Sequence, residues 1–157
     1  MDQDRILYRG EAFTLTGNSL RQDAAHWAEV QPDGQVKTMK NGRYSEWSIV
    51  PEAGNAPHYR GNFEVLNQAY GLALHEAGAL LNEEGTFRTG ANWPTVWTRD
   101  ISYSTHLGLG LWNVRACMNS LNARVRNGEV EQDTGTGGSW PISSDRVVWG
   151  MAAWEVY

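Results

Sequence analysis

Cysteine is nearly missing from this chain. Cys117 is the single one among 157 residues, so no disulfide can form within it. Its place in a helical pattern marks it as a small buried hydrophobe. Long apolar runs are missing too: no stretch of about 18 apolar residues is present, which excludes a membrane-spanning helix. The opening MDQDRILYRGE is polar and lacks the apolar segment of a signal peptide. That makes the cytoplasm the default compartment, and the periplasm or exterior the alternative if a leader has been removed. Basic charge is scarce, with 13 Lys and Arg against 18 Asp and Glu and a net charge of −5. The cations form no stripe, which argues against a nucleic-acid partner, duplex or single-stranded.

Further absences narrow the chemistry. His26, His58, His75 and His106 share no ligand spacing. His75-Glu76 opens a zinc-protease motif on a helix, but position 79 is alanine where the second histidine belongs. No metal site is expected. The glycines of Gly135-Thr136-Gly137-Gly138 are not followed by Gly-Lys-Ser/Thr, so they read as a flexible loop at a pocket rim rather than a phosphate cradle, and no cofactor is expected. No Gly-x-Ser-x-Gly elbow occurs, and Ser104 and His106, two apart on one helix, point to different sides.

What the chain does have is tryptophan, eight of them, within an otherwise ordinary globular composition of 41% apolar and 20% charged residues. Trp93, Trp97 and Trp140 lie in loops rich in glycine and proline. Core burial is the usual fate of indole, but loop tryptophans beside bidentate polar side chains point to a binding site.

The length suits one domain with a real core, and its organisation follows the periodicity. Residues 1–60 read as a β-rich leader and linker, too short and polar for an independent sandwich, with a turn at Pro32-Asp33-Gly34. Residues 61–157 read as helical. Phe63, Leu66, Tyr70, Ala73, Leu74, Ala77, Leu80 and Leu81 recur at helical spacing behind Asn62, a candidate N-cap, and that helix should end near Asn82. A second helix is expected over 101–112, where Ser104, Gly108 and Gly110 form a small face for close packing. A third runs over 114–126 with Val114, Cys117, Leu121 and Val125 inward, and Asn127-Gly128 stops it. A fourth starts near Ser143 or Ser144 and is still apolar at Tyr157, so the chain is expected to be a fragment of something longer.

Two helix entrances, WTRDISY and SWPISSDRVVW, each place Arg and Asp side by side. Neighbours on a helix are turned about 100° apart, so they pair poorly with each other and must find water, another loop or a ligand. The helix dipole alone could account for Asp100 and Asp145. A functional account is equally concrete: a carboxylate beside a guanidinium offers acceptors and donors at the spacing of vicinal sugar hydroxyls, and indole faces suit the C–H faces of a sugar.

At these residues a family resemblance emerges. WPTVWTRDISYSTHLGL resembles the Trp-x-Arg-Asp segment of glucoamylase-like six-hairpin (α/α)6 glycosidases, and GTGGSWPISSDRVVWGMAAW resembles their second substrate-binding stretch. The likeness covers about the last 70 residues. It implies a mainly α fold: the first part of an (α/α)6 toroid, about four helices, behind the β-rich leader, with 61–157 as an incomplete set of hairpins. It implies an inverting glycoside hydrolase acting on an oligo- or polysaccharide, possibly α-glucosidic, with the chain supplying part of the −1 subsite. Arg99 and Asp100 would hold sugar hydroxyls, Trp97 would wall the subsite, Trp93 would be a further substrate-binding residue, Trp140 would be a platform, and Asp145 and Arg146 would line the pocket. The acid and base would lie beyond residue 157, so that the fragment alone is inactive and its partners are a carbohydrate and the remainder of its own domain. A non-catalytic carbohydrate-binding domain and a purely structural helical domain are the alternatives.

Overall fold

The computed structural model describes residues 4–48, 56–133 and 143–157. The chain divides into two compact units, residues 1–76 and 77–157.

The first unit is built on a six-stranded antiparallel meander in which each strand pairs with the next in sequence. Its strands are β1 (Ile6–Arg9), β2 (Thr14–Thr16), β3 (Ser19–Arg21), β4 (His26–Val30), β5 (Val36–Lys40) and β6 (Arg43–Trp47). The turn expected at Pro32-Asp33-Gly34 joins β4 to β5: Gly34 takes φ +83° and donates its N–H to the Gln31 carbonyl at 2.9 Å. Asn41 and Gly42, at φ +53° and +74°, close the next hairpin between Lys40 and Arg43. Two consecutive positive φ values are what a two-residue loop needs to match the twist of its strands, and Asn-Gly supplies them at least cost.

Val30 and Val36, paired across β4 and β5, are the buried hydrophobics of this unit among the described residues. The rest of the sheet is held by cross-strand surface pairs. Arg21 sits opposite Trp27 with its guanidinium 5.2 Å from the ring centroid, and at the β1–β2 turn Tyr8 packs on Phe13 at 4.9 Å. Helix α1 (Glu64–Ala79) follows; Asn67 fixes its start by accepting the Gly61 N–H at 2.8 Å and donating to the Glu64 carboxylate at 3.0 Å.

The second unit contains α2 (Thr98–Ser104), a π-helical turn (Thr105–Leu109), α3 (Gly110–Trp112), α4 (Val114–Asn122), a small hairpin of β7 (Val125–Arg126) and β8 (Glu129–Val130), and α5 (Asp145–Val156). Phe87, Ile101, Ala116, Cys117, Leu121, Ala152 and Val156 form its core. Asn113 caps α4 by accepting the Ala116 N–H at 3.0 Å. Cys117 and Leu121 point inward as expected, whereas Val114, in the first turn after that cap, is 45% exposed. Gly110 does allow close packing: a methyl group there would lie 2.9 Å from the Thr105 carbonyl oxygen and 3.2 Å from Val156. Gly108 has open space instead and carries the non-helical backbone of the kink.

The expected mainly α fold, the opening of an (α/α)6 toroid, is corrected by this architecture. The chain is mixed α/β, with a six-stranded and a two-stranded antiparallel sheet alongside its helices. The first reason is that short strands with weak alternation, individually unimpressive, pair in sequence order into a complete meander. The second is that Asn127-Gly128 is a hairpin turn rather than a helix stop. With φ of +53° and +79° it folds Val125 onto Val130 and Arg126 onto Glu129, so α4 ends at Asn122. The helix expected over 101–112 is also interrupted, by the π turn at Thr105–Leu109. Among the described residues no helix is long and apolar enough to cross a membrane.

Candidate functional site

The loop that leads into α2 is tied to itself. Thr89 is the staple: its N–H donates to the Thr95 carbonyl at 3.1 Å, its hydroxyl donates to the same oxygen at 3.0 Å, and that hydroxyl accepts the Trp97 N–H at 3.1 Å. Gly90 and Trp93 exchange backbone hydrogen bonds and close a tighter turn inside it. The loop therefore presents its indoles in a fixed arrangement. Trp93 and Trp97 meet edge to face, with ring centroids 5.1 Å apart and planes at 62°. The Trp97 indole N–H is spent on the Thr95 hydroxyl at 2.9 Å, while Trp93 remains 55% exposed.

Trp97 occupies the N-cap position of α2, where an indole has no acceptor to offer. A carboxylate from far along the chain does the capping. Asp133 accepts the Thr98 N–H on Oδ1 and the Arg99 N–H on Oδ2, both at 2.9 Å. This satisfies two orphan amides and sets a negative charge at the positive end of the helix dipole. Asp133 is itself held: its N–H donates to Asp145 Oδ2 at 2.7 Å, and Arg124 Nη2 reaches its Oδ1 at 3.3 Å. Arg124 is fully committed, donating through Nε to the Thr98 hydroxyl at 3.0 Å and placing Nη1 3.3 Å from Glu131.

Asp145, at the start of α5, is completely buried. The dipole is part of its role, but its main work is to fix the Asp133 backbone and to face Arg99. Arg99 Nη1 stands 3.8 Å from Asp145 Oδ1, an oxygen with no hydrogen-bond partner among the described residues. Asp100 is half-buried beside this network. Burial first, then the charges of Asp133 and Asp145, raise its carboxyl above the ordinary range, and Arg99 offsets part of that.

The structure thus brings together Trp93 with Trp97, and Arg99 with Asp145, and sets Asp100 in the field of both Asp133 and Asp145. Arg146 turns elsewhere. It donates through Nε to the Val130 carbonyl at 3.2 Å, lies 3.7 Å from Glu129, and lines an open concavity of about 730 Å³ along the β7–β8 hairpin with Arg124, Arg126 and Glu131. Trp140 and the glycines at 135–138 lie outside the described residues.

No family model, curated protein or solved structure matches this chain. The site's meaning rests on its own chemistry.

Two residues that organise the entrance, Asp133 and Arg124, have no visible mark in the sequence. Asp133 stands in a loop 35 positions from the helix it caps, and no local pattern announces an acceptor for so distant an N-terminus. A helix ending at Asn122, followed by Ala-Arg, likewise does not reveal that Arg124 will turn back toward Thr98.

Proposed function

We propose that the entrance of α2 is a sugar-binding subsite, and that the protein serves glycoside hydrolysis through it. The observation that carries this reading is one juxtaposition. An indole pair, with Trp93 more than half exposed, and the Arg99–Asp100 donor–acceptor set follow one another along a single backbone segment that Thr89 and Asp133 hold fixed. Trp93 offers an apolar face to sugar C–H groups, Arg99 can donate to a hydroxyl, and Asp100 can accept from the next one. Preorganisation matters because sugar hydroxyls compete poorly against water unless donors and acceptors are already in place. The resemblance of the WTRD segment to glycosidase subsites supports the hydrolytic setting.

The carboxylates here are suited to holding rather than cutting. Inverting hydrolysis requires an acid and a base about 6.5–9.5 Å apart with a water between them. Asp133 is consumed by capping, and Asp145 is buried against Arg99 and the Asp133 backbone. The acid and base are therefore assigned to other residues of the protein, and Asp100 to substrate binding.

The test is a titration of the protein's tryptophan fluorescence with neutral oligosaccharides. Trp93→Ala should weaken binding by about 2 kcal/mol, some thirtyfold in Kd, and remove most of the fluorescence change. Asp100→Asn should abolish or greatly lower any glycosidase activity that the protein shows. Saccharide binding that is indifferent to both substitutions would sink the assignment of this subsite.

A further inference from the structure

Both ring nitrogens of His26, the first residue of β4, face acceptors. Nδ1 lies 3.0 Å from Asp23 Oδ1 and 3.1 Å from Asp23 Oδ2, in the turn between β3 and β4. Nε2 lies 2.7 Å from Asn41 Oδ1, in the turn between β5 and β6. The backbone fixes the near side: the His26 carbonyl accepts the Gln22 and Asp23 N–H groups at 3.0 and 3.3 Å, and Asp23 Oδ1 also accepts the Ala25 N–H at 2.7 Å. On the far side, Asn41 directly follows Lys40, the cross-strand partner of His26. One side chain thus ties together turns 15 positions apart.

A neutral imidazole has one N–H and one lone pair, so it can donate to only one of these neighbours. A carboxylate and an amide oxygen both accept, and the arrangement is complete for imidazolium alone. Of the nearby charges, Asp23 favours that cation and Lys40 opposes it. Arg43 stands one strand further away, opposite Lys40, and Arg21 of β3 lies over Trp27 on the other face of β4. The hydrogen bonds of Asn41 and then Asp23 outweigh partial burial and Lys40, and hold His26 above its ordinary 6.5. The Ala25 N–H, with His26 adding to it, holds Asp23 below its ordinary 3.8. When the ring gives up a proton, the charge of Asp23 keeps the remaining one on Nδ1, and Nε2 turns a lone pair toward Asn41 Oδ1.

We propose that His26 is a pH-sensitive clasp of the meander. As imidazolium it ties the β3–β4 turn to the β5–β6 turn, and as neutral imidazole it keeps Asp23 and releases Asn41. The contribution of His26 to stability is full below its unfolded value and is lost as the pH rises through its folded one. That of Asp23 is present above its unfolded value and is lost as the pH falls through its folded one. The clasp is closed between these limits, and its upper limit lies in the range where histidine switches operate. His26 and Asp23 are partly exposed, at 37% and 51%, so the release loosens a turn and not the whole unit.

The test is an NMR titration of the whole chain upward from about pH 5, following the His26 ring nitrogens and the hydrogen-exchange protection of the β5–β6 hairpin. His26 should titrate above 6.5 and, once neutral, carry its proton on Nδ1. Hairpin protection should fall severalfold over the same range, while the turn between Val30 and Val36 should not respond. Asn41→Gly keeps the positive φ and removes the amide. It should lower the His26 value and leave hairpin protection without a step. Asn41→Asp keeps an acceptor and adds charge, and should raise the His26 value further. His26→Gln should abolish the step in protection. A His26 that titrates at or below 6.5 overturns the clasp. So does hairpin protection that stays level through the titration of the ring, the result expected if Asn41 turns its amide to donate to neutral Nε2.

Discussion

The two units of this chain solve the problem of holding a fold in different ways. In the meander, every strand pairs with its sequence neighbour, turns are closed by residues with the right φ, and only Val30 and Val36 are buried hydrophobics among the described residues. In the second unit a seven-residue apolar core is joined by a buried polar lattice whose members come from positions 98, 99, 124, 131, 133 and 145. The first unit is the sum of many local, weak terms. The second concentrates its stability in a few distant contacts, so single substitutions should hurt it far more.

The largest expected effect tests that contrast directly. Leu121 is fully buried, and Leu121→Ala should cost about 4 kcal/mol, the transfer term plus the cavity it leaves. Leu20 is 41% exposed on the sheet, and Leu20→Ala should stay within about 0.5 kcal/mol. Urea unfolding, with amide hydrogen exchange to assign the loss to each unit, reads both. Comparable losses from the two would erase the distinction.

Asp133→Ala comes next, at about 3 kcal/mol. It removes a cap that serves two amides and leaves Arg124 short of a partner. The same substitution should cost the indole pair its fixed footing and so weaken oligosaccharide binding, although Asp133 touches no sugar in this scheme. If stability falls and affinity does not, Asp133 braces the helix alone and the entrance is less rigid than its hydrogen bonds imply.

How much of this was legible beforehand divides along the same line. The turns at Pro32-Asp33-Gly34 and the period of the helices were readable because their causes are local. Asn127-Gly128 shows the limit of that legibility. The pair takes positive φ whether it ends a helix or closes a hairpin, and the decision lies in whether Val125 and Val130 find each other. Trp93, Trp97, Arg99 and Asp100 stood out because they are adjacent in sequence. Asp133 and Arg124 did not, because a cap 35 residues away is a tertiary event. The toroid failed for a related reason: helical periodicity reports that helices exist, while the number of strands beside them depends on pairings that no single segment reveals.

A smaller effect checks that local terms weigh alike in both units. Gly42→Ala and Gly128→Ala each place a Cβ at a positive φ, +74° and +79°, with no neighbour within 4 Å to add a clash. Each should cost about 1 kcal/mol, from backbone conformation alone. A markedly larger loss at Gly128 would mean that the β7–β8 hairpin, through Glu131 and Arg124, is tied into the polar lattice more tightly than its two paired residues imply.

The smallest effect concerns Asp100 and has a sign that can be worked out. Its carboxyl titrates above its ordinary value of 3.8, through burial and the neighbouring carboxylates. The folded protein therefore holds this proton more tightly than the unfolded chain does. Stability from that proton is complete below about pH 3.8 and is lost as the pH rises through the folded value. Asp100→Asn keeps the shape and never ionises, so the variant and the parent should unfold at similar urea concentrations in acid. Their midpoints should separate through the carboxylate range, with the variant the more stable at neutral pH, by a margin that solvent screening keeps small. A midpoint difference that does not change with pH would remove Asp100 from the field of Asp133 and Asp145. The same substitution should lower sugar affinity. A charge that mildly burdens the fold at neutral pH is then retained where a sugar hydroxyl would meet it, which is the pattern expected of a residue kept for binding rather than for stability.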